Sequence, residues 1–134
     1  MRFVPTRVHG LLDYGTGLLL IAAPFLFGFA DGGPAQWIPI AIGVATLGLA
    51  ATTDFEVGLA RRVPMSAHLM VDIGSGLLLA LSPFLFGFAD QLADGREGVS
   101  LPHLIFGVAE IGLALVTKTV PADRGSTTAR AARL

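Results

Sequence analysis

The chain has 134 residues, a formal net charge of −1 and no cysteine, and with 53% hydrophobic residues and a mean hydropathy of +0.71 it is too apolar for a soluble domain of this length. The missing cysteines exclude disulfides, thiolate metal sites and thiol catalysis, and the near-neutral charge without a folded basic surface excludes nucleic acid as a partner. No nucleophile elbow, phosphate-binding glycine loop or nucleotide motif is present, so the chain is not expected to be an enzyme.

Four continuously apolar stretches occur in order, over residues 11–30, 37–51, 69–89 and 101–120. Each approaches the ~20 residues that an α-helix needs to cross a ~30 Å hydrocarbon core. A membrane barrel would instead alternate in polarity over short segments. The expected fold is therefore all-α, a polytopic membrane protein of four transmembrane helices in contact with lipid. The first stretch, with Arg2 and Arg7 before it, is read as a span and not as a signal peptide, because a close copy of it recurs in mid-chain.

That copy is the strongest signal in the sequence. Residues 8–31 and 67–90 share 15 of 24 positions at an offset of 59, from His9 and His68 through Asp31 and Asp90. The second helices match more weakly: Gly43, Ala45 and Gly48 align with Gly107, Ala109 and Gly112, while Thr46 falls opposite Glu110. The expected organisation is two tandem two-helix repeats, 1–60 and 61–121, and a disordered cytoplasmic tail, 122–134. Each hairpin returns the chain to the side it left, so the copies run parallel, about a pseudo-twofold axis along the membrane normal.

Eight of the nine basic residues lie before helix one, between helices two and three, or at and beyond the end of helix four; Arg96 alone lies elsewhere. The positive-inside bias places both termini and the central loop in the cytoplasm, leaving 31–36 and 90–100 as external loops of an inner (plasma) membrane protein.

Polar residues interrupt the apolar runs at repeated positions. His9 and Asp13 are four residues apart, one above the other on a helix face that Gly17 continues, and His68, Asp72 and Gly76 repeat the stripe. Thr6 and Ser66 are the expected N-caps. Such stripes serve either as interhelical polar ties or as a shared site in which His9, Asp13, His68 and Asp72 hold a divalent metal, in which His9 and His68 hold a haem, or which relays protons. The ligand types suit a metal without fixing a coordination geometry, so no cofactor is predicted outright.

Glu110 falls about nine residues into helix four, roughly 14 Å deep at 1.5 Å per residue. A charge there costs about 2.5–3.5 kcal/mol, so Glu110 is protonated, paired or facing a wet cavity. His103 lies two turns earlier on the same face. Together they suggest an outer half-path for protons or cations, with His9, Asp13, His68 and Asp72 as the inner half.

The segments Pro-Phe-Leu-Phe-Gly-Phe at 24–29 and 83–88 end helices one and three. Pro24 and Pro83 lack the N–H that would satisfy the Leu20 and Leu79 carbonyls, and Gly28 and Gly87 suit a helix stop or close packing. Gly15, Gly17, Gly74 and Gly76 are read as helix-packing positions. At these segments the sequence resembles the SPW-repeat membrane proteins, named for a Ser-Pro-Trp motif in the first of two membrane helices per repeat. Ser82-Pro83-Phe84 and Ala23-Pro24-Phe25 occupy the motif positions, with Phe for Trp in both copies and Ala for Ser in the first, as in a divergent member. The resemblance implies a membrane-embedded helical repeat and supplies no biochemical activity. The leading functional expectation is an accessory or scaffold subunit, partnered by other membrane proteins or by itself as a homo-oligomer. The alternatives are a proton-coupled transporter of ions or small solutes using Glu110 and the His/Asp stripes, and a haem- or metal-binding membrane protein.

Overall fold

The computed structural model describes residues 1–90, 92–93 and 97–125. It contains four helices, α1 (Thr6–Leu26), α2 (Pro34–Thr52), α3 (Met65–Leu85) and α4 (Ser100–Val116), with a short antiparallel pair, β1 (Leu92–Ala93) and β2 (Glu97–Gly98), before α4. The protein is a helical membrane protein: α1, α2 and α3 are each long and apolar enough to cross a bilayer, and α4 is apolar but only 17 residues long. α1 packs mainly on α2, α3 on α4, and α2 also touches α3.

The helices begin earlier than the apolar runs because proline sets their starts. Pro5 and Pro64 occupy the cap positions with extended backbone, φ −64° and −62°, and their carbonyls accept the N–H of His9 and His68 at 3.1 Å. No side chain caps either helix. Thr6 and Ser66 are therefore inside the first turns and are not N-caps, contrary to the sequence expectation. Both helices stop at a glycine: Gly28 and Gly87 adopt φ 72° and 71°, and the N–H groups of Phe29 and Phe88 reach back to the carbonyls of Pro24 and Pro83 at 2.8 and 2.9 Å. This is the left-handed helix stop that glycine adopts without strain. Leu79, whose carbonyl loses its usual partner to Pro83, accepts the Ser82 hydroxyl at 2.7 Å instead.

Glycine also decides how closely each hairpin closes. A Cβ at Gly43 would lie 2.6 Å from the Gly17 carbonyl oxygen, and one at Gly76 would lie 2.7 Å from that of Gly107. A Cβ on Gly107 would in turn strike the Gly76 carbonyl and the Ala80 backbone. Gly17 and Gly76 each pack against the second helix of their own hairpin. Gly15 and Gly74 differ: a Cβ there meets nothing within 4 Å, so among the described residues they make no close helix contact. Gly48 and Gly112 are equally open. Spacing of two residues turns a helical position by about 200°, which carries 15 and 17 to different faces.

The buried core is narrow, and large apolar side chains including Leu18, Phe25, Leu77, Phe84 and Val108 remain exposed around the outside. Helices apolar on nearly every face suit lipid as the surrounding solvent. At one end Phe29 and Phe88 are buried with Ala23, Ala35 and Val99. The opposite end gathers the N-terminus, the α2–α3 linker and the residues after α4. There Val4 bridges Thr117 and Thr53 bridges Val63. Arg2 donates from Nη1 to the carbonyls of Ala114 and Thr117 at 3.1 and 2.7 Å.

The expected tail from 122 onward begins as part of this end and not as disorder. Ala122 donates its N–H to Glu56 at 2.8 Å, and Asp123 and Arg124 pair with Arg61 and Asp54. Residues 126–134 lie outside the described residues. Burial pushes the Glu56 carboxyl up, but the hydrogen bond from Thr6 at 2.6 Å, its own backbone N–H and that of Ala122 hold it below its ordinary value.

Gly43→Ala and Gly107→Ala should each destabilise the protein by about 1–3 kcal/mol, because the obstructing atoms are backbone. Gly48→Ala and Gly112→Ala should leave thermal unfolding in detergent nearly unchanged; equal effects from both pairs would contradict this packing. Glu56→Gln should cost about 1 kcal/mol at pH 7. Because the Glu56 carboxyl is held low, its contribution is present above the unfolded value of 4.5 and lost as pH falls below it. The unfolding curves of wild type and Glu56→Gln should therefore converge in acid.

Candidate functional site

α1 and α3 bring their His/Asp stripes together at the end that holds the termini. Nε2 of His9 lies 3.0 Å from Asp72 Oδ2 and 3.3 Å from Asp13 Oδ1. Nε2 of His68 lies 3.0 Å from Asp13 Oδ2 and 3.2 Å from Asp72 Oδ2. Each histidine therefore reaches the aspartate one turn along its own helix and, more closely, the aspartate of the other copy. The two imidazole rings meet edge to face with centroids 5.3 Å apart. All four residues are buried, none more than 6% exposed.

The far side of each imidazole is fixed by a threonine that sequence reasoning missed. His9 Nδ1 lies 2.8 Å from Thr117 Oγ1, and His68 Nδ1 lies 2.6 Å from Thr53 Oγ1. Both hydroxyls donate their single proton to a helix carbonyl, Thr117 to Leu113 and Thr53 to Leu49, each at 2.6 Å. Each threonine oxygen can then only accept, so Nδ1 carries the proton in both histidines. Nε2 is left facing the carboxylates in both. Chemically, that nitrogen either donates a second proton to the aspartates or, without one, offers its lone pair to a cation that it shares with them. The signal for the threonines was available: continuing the Gly43/Gly107 alignment ten residues places Thr53 on Thr117.

Glu110 is adjacent but distinct. Its Oε1 accepts from Ser75 Oγ at 2.8 Å, and its Oε2 is the buried side-chain polar atom without a partner among the described residues. It lines a cavity of about 330 Å³ between α1, α2 and α4, together with Asp13, Thr16 and Thr46. Asp13 borders both the cavity and the His/Asp cluster. Ser75, absent from the sequence reading, connects Glu110 to Asp72 by also touching the Asp72 carbonyl at 3.1 Å.

His103 is not joined to these groups, and the outer half-path expected from its spacing is not formed. Its Nδ1 lies 2.8 Å from the Val99 carbonyl and its Nε2 2.9 Å from that of Ala35, between the rings of Phe29 and Phe88. Phe106 faces the Glu110 cavity on one side and, with Leu20 and Leu79, an apolar space around His103 that has no room for water on the other. Of the sequence candidates, His9, Asp13, His68 and Asp72 converge, Glu110 borders them through Asp13 and Ser75, and His103 ties α4 to the start of α2. Pro24, Pro83, Gly28 and Gly87 shape helix ends remote from the cluster.

No curated protein and no solved structure matches the chain. The SPW repeat domain family matches residues 7–117, a span that includes both copies of the His/Asp stripe and both threonines that support them. The chain belongs to the SPW repeat family.

Proposed function

We propose that the protein is a four-span component of the plasma membrane, two parallel hairpins with both termini and the central linker on the cytoplasmic side, that acts by helix association. In this reading it is an accessory or scaffold subunit, or a homo-oligomer, and not an enzyme. The orientation is supported by the basic residues Arg2, Arg61, Arg62, Lys118 and Arg124, which the fold collects at one end.

The observation that carries the reading is the set of outward glycines. Gly15 and Gly74 are equivalent positions in the two copies, as are Gly48 and Gly112, and a Cβ at any of the four would meet nothing within 4 Å among the described residues. Lipid gains nothing from an exposed glycine, whereas a second helix gains a close backbone approach. Leucine at Gly48 and Gly112 should leave the fold intact and shift the native mass spectrum of the detergent-extracted protein from a complex to the single chain. The same substitution at Gly15 and Gly74 tests the other face. A complex that survives both pairs of changes would defeat the proposal.

A second reading, proton-coupled movement of an ion or small solute, is favoured by the cavity that holds the unpartnered Glu110 oxygen. It requires the apolar space beyond Phe106 to open. Proton or small-cation flux into liposomes should then be lost in Glu110→Gln, and a wild type that carries no flux would leave the cavity to another use.

A further inference from the structure

We infer that the His9–Asp13–His68–Asp72 cluster is a binding site for one divalent transition-metal ion of the zinc type, shared by the two halves of the chain. One ligand atom from each of the four residues can be chosen so that all lie within 4.8 Å of one another. Imidazole nitrogens and carboxylate oxygens approach one another at 3.0, 3.0, 3.2 and 3.3 Å, Asp72 through Oδ2 to both histidines and Asp13 through Oδ2 to His68 and Oδ1 to His9. A four-coordinate ion with bonds of ~2.0–2.1 Å needs all six edges near ~3.3 Å, so the longest separations, which reach toward 4.8 Å, must close by up to about 1.5 Å as the side chains turn toward the ion.

The outer contacts agree with this. Metal-bound imidazoles characteristically donate their other N–H to a fixed acceptor. Here both Nδ1–H groups donate to threonine oxygens, and those threonines are themselves anchored to helix carbonyls. The nitrogen left for the ion is the same one, Nε2, in both copies.

Charge narrows the ion. Two carboxylates, two neutral imidazoles and a divalent cation sum to zero, the arrangement least costly to bury within a membrane bundle. Two nitrogen ligands out of four disfavour magnesium and calcium, and the absence of cysteine disfavours copper(I). An entry route is present as well. Asp13 opens onto the cavity whose wall includes Glu110, so a carboxylate with an unpartnered oxygen stands beside the approach to the cluster. α2 brings no titratable group to the site, and the linker contributes the Phe55 ring, 5.7 Å from that of His68. The inference is independent of how the chain associates.

The test uses the full-length protein in mild detergent, stripped with chelator and titrated with Zn²⁺, with Co²⁺ as the spectroscopic probe. One Zn²⁺ per chain, a raised unfolding temperature, and visible Co²⁺ absorbance of a four-coordinate nitrogen/oxygen site that Zn²⁺ abolishes are expected. Asp13→Asn with Asp72→Asn keeps the side-chain shapes, and should weaken Zn²⁺ binding at least tenfold while Glu56→Gln leaves it unchanged. Should the double variant not fold, the wild-type Co²⁺ spectrum decides alone. Binding of less than one ion per chain, Zn²⁺ affinity equal in wild type and Asp variants, or a Co²⁺ spectrum of six oxygen ligands would overturn the proposal.

Discussion

An imidazole or carboxylate buried among apolar helices is costly unless a counter-group meets it, and that group must come from another part of the chain. Here each closest counter-group comes from the other half. His9 of α1 is held by Asp72 and Thr117, and His68 of α3 by Asp13 and Thr53. This exchange brings α1 and α3 into register at one end and pulls the end of α4 against the start of α1, where the Val4–Thr117 bridge lies. The other bridge, Thr53–Val63, does the same for α2 and α3. Sheet-like pairing between segments that sequence treats as loops is thus a product of the polar contacts beneath it.

Within each half a different force prevails. Gly17 against Gly43 and Gly76 against Gly107 let two backbones touch, and dispersion between closely packed helices substitutes for the hydrophobic drive that lipid removes. The two forces divide the molecule: close van der Waals packing makes the hairpins, and hydrogen-bonded charge joins them. At the far end the join is made by His103, whose ring nitrogens lie against carbonyls from two helices, and by the two buried phenylalanines around it.

Much of this was legible in the sequence. Four-residue spacing placed each His over its Asp, and repetition of the whole phrase showed that the two stripes were equivalent. Spacing along one helix carries no information about a partner 63 residues away, so the crosswise pairing was invisible. Thr53 and Thr117 were missed because they follow the apolar runs, where a threonine looks like part of a loop. His103 and Glu110 share a face at i, i+7, but a bulky Phe106 between them closes the space that the spacing suggested. Gly15 and Gly17 look alike in sequence, and only the position of α2 separates a glycine that permits contact from one that points away from it.

The reciprocity of the central cluster also bears on what either hairpin is by itself. The first contains a histidine, an aspartate and a threonine, yet these are spaced so that its histidine finds the threonine of the other hairpin and not its own. The second hairpin has the same incompleteness. Each half is thus both a lock and the key to a copy of the same lock, and the threonine contact and the nearer carboxylate of each histidine are supplied by a hairpin that carries the same three residues. The peptide linking the hairpins then sets the stoichiometry at one to one, while the geometry of the join would serve equally for two separate chains related by a twofold axis.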